Sequence, residues 1–316
     1  MAGQKRAWIY DLLLIVVLLG AAWFRLVGLH WDEVQHLHPD ERFLTMVETA
    51  LQPVQSLGDY FNTTASTLNP HNRGYGFYVY GDLPLLIVRY LAEWLKQTGY
   101  DQVNIVGRQV SAAADLGVIF LLYLIASRLY GRKVGLLAGA FSAVTVMQIQ
   151  QSHFFTTENP ANFFSFLAIA FAVLIADDRG PEPSFPAPEG EPEAAPPGTT
   201  VGSVLRDRLL WLSLGFGLAF GMALASKLNA APMALLLPAA FGVRHLQLRQ
   251  QGKAGLGFER LLVYFIAGGL LAVLAFRIFQ PYAFIGIRLN PAWMANIRDL
   301  QAQSNGDADV PFALQW

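Results

Sequence analysis

Acidic residues cluster in two short stretches, each next to a long apolar run. The stretches are residues 30–43, HWDEVQHLHPDERF, and residues 150–164, QQSHFFTTENPANFF. Their acids are Asp32, Glu33, Asp40, Glu41 and Glu158. A carboxylate beside apolar sequence can serve as a general base that takes a proton from a hydroxyl group. The alternative is a helix start, because acids and proline both favour the first turn.

Pro39 marks the first turn of a predicted helix that ends at about Leu51. Within it, Asp40 shares a stripe with the apolar residues at positions 44, 47 and 51, whereas Glu41 shares one with positions 45 and 48. We therefore expect Asp40 to point inward, partly desolvated as a general base usually is, and Glu41 to point outward.

The bulk composition is that of an integral membrane protein. Of the 316 residues, 54% are hydrophobic and 14% charged, and the mean hydropathy is +0.37. These values lie far from those of a soluble domain. The sequence has no cysteine, which excludes disulfides, thiolate metal ligands and a thiol nucleophile. The net charge of −1 argues against a nucleic-acid partner.

Crossing a bilayer takes about 20 apolar residues, so the fold class is predicted to be an all-α membrane protein with seven spans. The segments are approximately 8–29, 106–127, 134–151, 160–176, 209–225, 229–246 and 260–278. The first follows a basic start and is interpreted as a retained signal anchor. Residues 82–97 carry Arg89, Glu93 and Lys96 on one helical face. Such charges are costly in hydrocarbon, so an interfacial amphipathic helix is predicted there instead.

The basic residues between the spans indicate the orientation. With seven spans, one side of the membrane holds Lys5, Arg6, Arg128, Arg132, Lys133, Arg179, Arg206, Arg208, Arg244, Arg249, Lys253 and Arg260. The positive-inside rule makes this side cytoplasmic. The outer face then carries residues 30–105, 152–159 and 279–316. The proline-rich loop 177–208 is predicted to be a flexible cytoplasmic linker.

Several of these features together resemble the polyprenyl-phosphate-dependent glycosyltransferases of the GT-C superfamily. They are HPDERF, the amphipathic helix, the segment GRQVSAAADLGVIFLLYLIASRLYG and the pattern QSHFFTTENPANFF. The likeness covers nearly the whole chain and is greatest to the branch of protein O-mannosyltransferases and lipid A aminoarabinose transferases. It implies a seven-helix module over residues 1–278, with two interfacial helices in the first outer loop. Since family members usually continue through further spans, it also implies that residues 279–316 begin a missing C-terminal part.

The resemblance also implies an activity. A sugar would move, with inversion, from a polyprenyl-phosphate donor to an acceptor hydroxyl on the extracytoplasmic face of the plasma (inner) membrane. It assigns the essential acid of the first outer loop to Asp40, with Glu41 beside it, and a second acid to Glu158. The sugar and the acceptor, which could be a protein, a lipid or a glycan, stay open.

A departing lipid phosphate needs a cation, and three basic residues at the outer ends of spans are candidates. They are Lys227 in ASKLNAAP, Arg277 in AFRIFQPY and Arg108 near the start of the second span. Each could instead snorkel to lipid headgroups, but at least one is expected to bind the phosphate.

Three outer-face histidines raise the question of a divalent metal, which some relatives hold. His36, His38 and His153 could bind one together with the nearby acids, although His36 and His38 lack the i, i+4 spacing of a helical metal site. Histidines without metal are the interpretation that the spacing favours. Two other functional classes stay open: a non-catalytic subunit that binds a polyprenyl lipid, and a lipid or sugar transporter, for which inverted repeats would be expected.

Overall fold

The computed structural model describes residues 7–178, 201–252 and 257–307. The helices are α1 Ala7–Leu26, α2 Pro39–Ala50, α3 Leu57–Phe61, α4 Asp82–Leu95, α5 Tyr100–Tyr130, α6 Arg132–Ala143, α7 Val146–Ser152, α8 Glu158–Ala176, α9 Val201–Leu205, α10 Arg208–Ser226, α11 Leu236–Gln250, α12 Phe258–Phe279 and α13 Pro291–Asn305. Three 3-10 helices cover Pro70–Arg73, Leu228–Leu235 and Pro281–Ala283. The strands β1 Phe284–Ile285 and β2 Arg288–Leu289 form an antiparallel hairpin in which Phe284 pairs with Leu289.

Some predictions concern residues outside these ranges. Most of the proline-rich linker predicted at 177–208 lies there, as does the end of the tail after residue 307. The basic residues Lys5, Arg6, Arg179 and Lys253 also lie outside the described residues.

The predicted all-α membrane class is confirmed, and the described residues hold five or six helical candidates for the seven predicted spans. In the described ranges, five helices are long and apolar enough to cross a bilayer: α1, α5, α8, α10 and α12. The pair α6 and α7 makes a sixth if its 60° bend is counted within one span. The predicted span at 229–246 is instead split into the 3-10 helix Leu228–Leu235, which contains Pro232, and α11. Proline lacks the N–H that a continuous α-helix needs, so the regular part is too short to pass as a span.

Small residues determine how the membrane helices pack. Carbonyl oxygens of α12 lie so close to α10 that a Cβ at Gly217 would collide with Gly268 O, and one at Gly221 with Ala272 O. Such close approach is typical of helices inside membranes. The main apolar core therefore forms where α8, α10, α11 and α12 meet.

A second core lies between α1 and α5, in the segment predicted as the first outer loop, and contains both predicted amphipathic helices. Helices α2 and α4 bury Leu44, Val47 and Val88 against Val103 and Val106 of α5. Neither α2 nor α4 is among the membrane-crossing candidates, as expected for the charged stretch 82–97. This loop carries one wall of the cavity described next.

Candidate active site

A cavity of about 520 Å³ lies where the outer loop meets the ends of the membrane helices. One wall consists of Asp40 from α2, Tyr80 from the loop before α4, Glu158 from α8 and Lys227 from the end of α10. The facing wall is α13, which contributes Ile297, Leu300, Gln301, Ser304 and Asn305. The fold therefore brings together three of the residues that the sequence singled out.

Asp40 is exposed in this cavity and is held by one tyrosine. The hydroxyl of Tyr80 donates to Asp40 Oδ1 over 3.1 Å. Burial, followed by the charge of Asp40, raises the pKa of Tyr80, so this phenol stays protonated and keeps donating. The ring of Tyr80 rests against Phe43 and Tyr78, at centroid distances of 5.8 and 5.9 Å.

Glu158 and Lys227 form an ion pair in the same cavity, with 2.5 Å between Lys227 Nζ and Glu158 Oε1. Glu158 is the first residue of α8, where a carboxylate favours the helix dipole, and Lys227 is the C-cap of α10, where a cation does. Both are therefore helix-end residues and cavity residues at once. The Oε2 atom of Glu158 has no hydrogen-bond partner among the described residues.

The orientation predicted for the first acidic pair was wrong. Glu41, not Asp40, points inward: its side chain is fully buried and its Oε1 accepts from Arg108 Nε at 2.7 Å. The stripe of Glu41, Thr45 and Glu48 is buried next to the apolar stripe. A buried arginine 67 residues away supplies the counter-charge, which helical periodicity within α2 cannot reveal. Burial raises the pKa of Glu41 despite Arg108, and Glu41 is not among the residues that line the cavity.

Arg108 does not suit the predicted role of phosphate ligand. Its guanidinium is fully buried and forms a two-pronged ion pair with Asp32, at 2.7 and 3.0 Å, in addition to its bonds to Glu41 and Leu29 O. Burial raises the pKa of Asp32, but Arg108 outweighs it and holds that pKa below its ordinary value. Arg108 therefore fastens the segment after α1 and the start of α2 onto α5.

Arg277 lies apart from Asp40, between aromatic rings. Its guanidinium carbon is 4.9 Å from the centroid of the Phe61 ring and 5.2 Å from that of Phe284. Its hydrogen bonds to Pro281 O and Gly286 O are long, 3.5 and 3.4 Å. Arg277 thus remains a half-buried cation at the outer end of α12, beside an apolar groove that Phe284 lines.

The three histidines considered for a metal do not converge. His36 contacts Asp101 at 3.2 Å, His38 accepts the Glu41 N–H as the N-cap of α2, and both ring nitrogens of His153 face backbone carbonyls of Ile149 and Val27. Among the described residues, no group of three or more histidines and acids has metal-binding geometry. Their contacts are those of helix capping and loop anchoring.

Sequence reasoning missed two parts of the cavity. Tyr80 lies in the tyrosine-rich segment 72–82, whose rings are equally expected of an aromatic belt, so the sequence carried only a weak signal. The wall formed by α13 comes from a stretch that was predicted only as part of an outer tail. Its 15 helical residues start at Pro291 with Asn290 as N-cap, a recognisable helix start.

A family model and solved structures of other proteins are similar to this chain. Residues 88–182 match the family model described as dolichyl-phosphate-mannose-protein mannosyltransferase. No curated protein matches the chain. The fold is similar to the S. cerevisiae protein O-mannosyltransferase Pmt1-Pmt2 complex bound to the sugar donor, with a TM-score of 0.53, 15% identity, and coverage of 93% of this chain and 34% of that one.

A second solved structure is the Archaeoglobus fulgidus oligosaccharyltransferase in the apo form. Its TM-score is also 0.53, with 13% identity and coverage of 98% of this chain and 40% of that one. The chain thus spans between a third and two-fifths of the length of both structures. At these identities the likeness concerns the fold.

The fold is that of a multi-pass membrane protein, and it is similar to the folds of these two solved glycosyltransferases. Over residues 88–182 the sequence is more particularly similar to the family of dolichyl-phosphate-mannose-protein mannosyltransferases.

Proposed function

We propose that the chain transfers a sugar from a polyprenyl-phosphate donor to an acceptor hydroxyl in the cavity of Asp40, Glu158 and Lys227. One observation carries this proposal: Asp40, which is exposed and bonded to Tyr80, lies in the same cavity as the accessible Lys227. This cavity is at the ends of the membrane helices. The matched family segment, which includes Glu158, supports it. We place the cavity on the extracytoplasmic face of the plasma membrane because of the distribution of basic residues.

An apolar groove offers space for the donor lipid. It has a volume of about 640 Å³ and is lined by Phe216, Phe220 and Leu224 of α10 and by Gly269, Ala272 and Phe276 of α12. Leu224 lies less than one helical turn from Lys227, so the groove begins close to the ion pair. A prenyl chain in the groove would leave its phosphate near Lys227, with Arg277 as a second cation beside Phe284.

The chemistry of transfer then follows from the residue types. The acceptor oxygen forms a bond with the anomeric carbon as the bond from that carbon to the phosphate oxygen breaks. The electron pair of the broken bond leaves on the lipid phosphate, and Lys227 stabilises its charge. Asp40 takes the proton of the acceptor hydroxyl, while Tyr80 keeps the carboxylate oriented. Attack opposite the leaving group inverts the anomeric centre.

The test is transfer of radiolabelled mannose from dolichyl- and undecaprenyl-phosphate mannose in membranes that contain the native chain or Asp40→Asn. We expect Asp40→Asn to lower the rate by about 100-fold, the range found when a general base is removed. Asp299→Asn, the same change at an exposed position of α13 outside the cavity lining, should keep the native rate. Equal rates in the native and Asp40→Asn chains would overturn the role of Asp40.

Two further variants complete this test. Glu158→Gln and Lys227→Met should each lower the rate, since both disturb the ion pair at the phosphate position. If the native chain yields no product from either donor, the result would favour the alternative of a non-catalytic lipid-binding subunit.

A further inference from the structure

Helix α13 does more than cover the cavity, because one of its residues also holds the loop that carries Tyr80. Asn296 is only 7% exposed and makes three hydrogen bonds to this loop. Its Oδ1 accepts from Tyr78 N at 3.0 Å and lies 2.9 Å from His71 Nε2, and its Nδ2 donates to Gly76 O at 3.1 Å. A single amide thus joins α13 to residues 71–78.

The loop between residues 76 and 82 depends on side chains for its backbone hydrogen bonds. Besides the two bonds from Asn296, the hydroxyl of Tyr78 donates to Gly81 O at 3.2 Å, and Gln280 Oε1 accepts from Asp82 N at 2.7 Å. Gly74, with a φ of +95°, starts this irregular stretch. If one of these side chains is removed, the backbone N–H or C=O group that it bonded loses its partner, because this stretch has no regular secondary structure to supply another.

Tyr78 affects Asp40 indirectly, because its ring contacts the ring of Tyr80 and Tyr80 bonds to the Asp40 carboxylate. The Tyr78 ring supports the Tyr80 ring at 5.9 Å, and the Tyr80 hydroxyl donates to Asp40 Oδ1 at 3.1 Å. Opposite them, the same α13 presents Leu300, Gln301 and Ser304 to the cavity. Asn296 therefore lies where the cavity wall and the support of Asp40 meet.

We infer that Asn296 is a positioning residue for transfer: it holds the segment 76–80 so that Tyr80 orients the Asp40 carboxylate toward the acceptor hydroxyl. This inference rests on the proposed function. Asn296 touches neither donor nor acceptor in this role, so its loss misplaces the base without removing a substrate contact. The expected signature is a lower kcat with little change in the donor KM.

A double-mutant cycle tests the inference in the mannose transfer assay. Asn296→Ala should lower kcat about tenfold, because small misplacements of a base are costly. In the Tyr80→Phe background the same substitution should cost little more, since residues that act through one another are not additive. Asn296→Asp, which keeps the acceptor for Tyr78 N, should retain more of the rate than Asn296→Ala.

The experiment also needs a matched control and a result that would contradict the inference. Gln303→Ala, on the same helix but outside the cavity lining, should leave kcat unchanged. Additive losses from Asn296→Ala and Tyr80→Phe would overturn the inference, even if Asp40→Asn lowers the rate as proposed. Native activity in Asp40→Asn would instead refute the proposed function itself.

A spin-label measurement tests the inference without any turnover. The sequence has no cysteine, so labels at Phe77→Cys and Gln97→Cys attach only there. Both positions are exposed and flank α4, a 14-residue helix about 21 Å long. Asn296→Ala should broaden the distance distribution between the labels, and an unchanged distribution would overturn the inference.

Discussion

At the scale of single residues, two adjacent acids at the start of α2 have opposite surroundings. Asp40 is exposed to a cavity and accepts a bond from Tyr80, whereas Glu41 is fully buried and paired with Arg108. The carboxylate proposed to act in transfer is thus the accessible one, whereas Glu41 belongs to a buried ion pair. The difference arises from α5, which carries Arg108 into the interior beneath α2.

Alanine substitutions at the two positions should separate these roles. Glu41→Ala removes one partner of a buried ion pair and should destabilise the fold by about 3 kcal/mol. Asp40→Ala removes an exposed group and should leave the melting temperature in detergent unchanged, although transfer is lost. Thermal unfolding followed by circular dichroism measures both, and equal melting temperatures would contradict the assignment of Glu41.

At the scale of elements, the bend between α6 and α7 is stabilised by an arginine from another helix. Arg25, fully buried near the end of α1, donates to the carbonyls of Ser142 and Ala143, at 3.2 and 2.9 Å, where α6 ends. A cation at a helix C-terminus satisfies free carbonyls and interacts favourably with the helix dipole. Asp115 of α5 balances the charge with a 2.5 Å ion pair.

Removal of this arginine should show that the pair is structural. Arg25→Met leaves Asp115 buried without its partner and should destabilise the protein by about 3–5 kcal/mol. The double variant Arg25→Met with Asp115→Leu should recover part of this loss, since an apolar pair avoids the stranded charge. Thermal stability in detergent measures both variants, and a double variant no more stable than the single one would contradict this account.

At the scale of the whole molecule, an apolar groove follows α10 and α12 and includes Leu224, three residues before the cavity residue Lys227. The groove of about 640 Å³ shares Pro238 and Phe265 with a second apolar cavity of about 490 Å³, which reaches Arg244 and Leu248 near the other end of α11. Ala234 of the 3-10 segment and Leu237 and Pro238 of α11 form one side of the groove. A long prenyl chain is the ligand class that this shape suits.

Filling the groove should weaken use of the donor. A Cβ at Gly269 would meet no atom within 4 Å, so Gly269→Phe can be accommodated while its ring occupies the groove. We expect the KM for dolichyl-phosphate mannose to rise about tenfold, the effect of about 1.4 kcal/mol of lost binding. Gly20→Phe, at an equally open site on α1, is the control and should behave as the native chain. An unchanged KM in Gly269→Phe would exclude the groove as the lipid site.

Much of the architecture followed from local chemistry in the sequence. Apolar runs of membrane length predict spans whatever their neighbours are, so α1, α5, α8, α10 and α12 were each anticipated. Pro39 and Pro160 likewise marked helix starts at α2 and α8, and a helix forms at Asp82–Leu95 within the predicted stretch 82–97. The family likeness rested on the same local patterns, and the match over residues 88–182 agrees with it.

Only the tertiary structure decided which polar groups meet. Glu41 turned inward because of an arginine 67 residues away, and Glu158 found Lys227 at a separation of 69 residues. Asn296 reaches Tyr78 from 218 residues along the chain. A span depends on the free energy of moving its own side chains out of water, which is a local sum over the sequence. A buried ion pair or a cavity wall depends on which helices pack together, and this is a property of the folded chain alone.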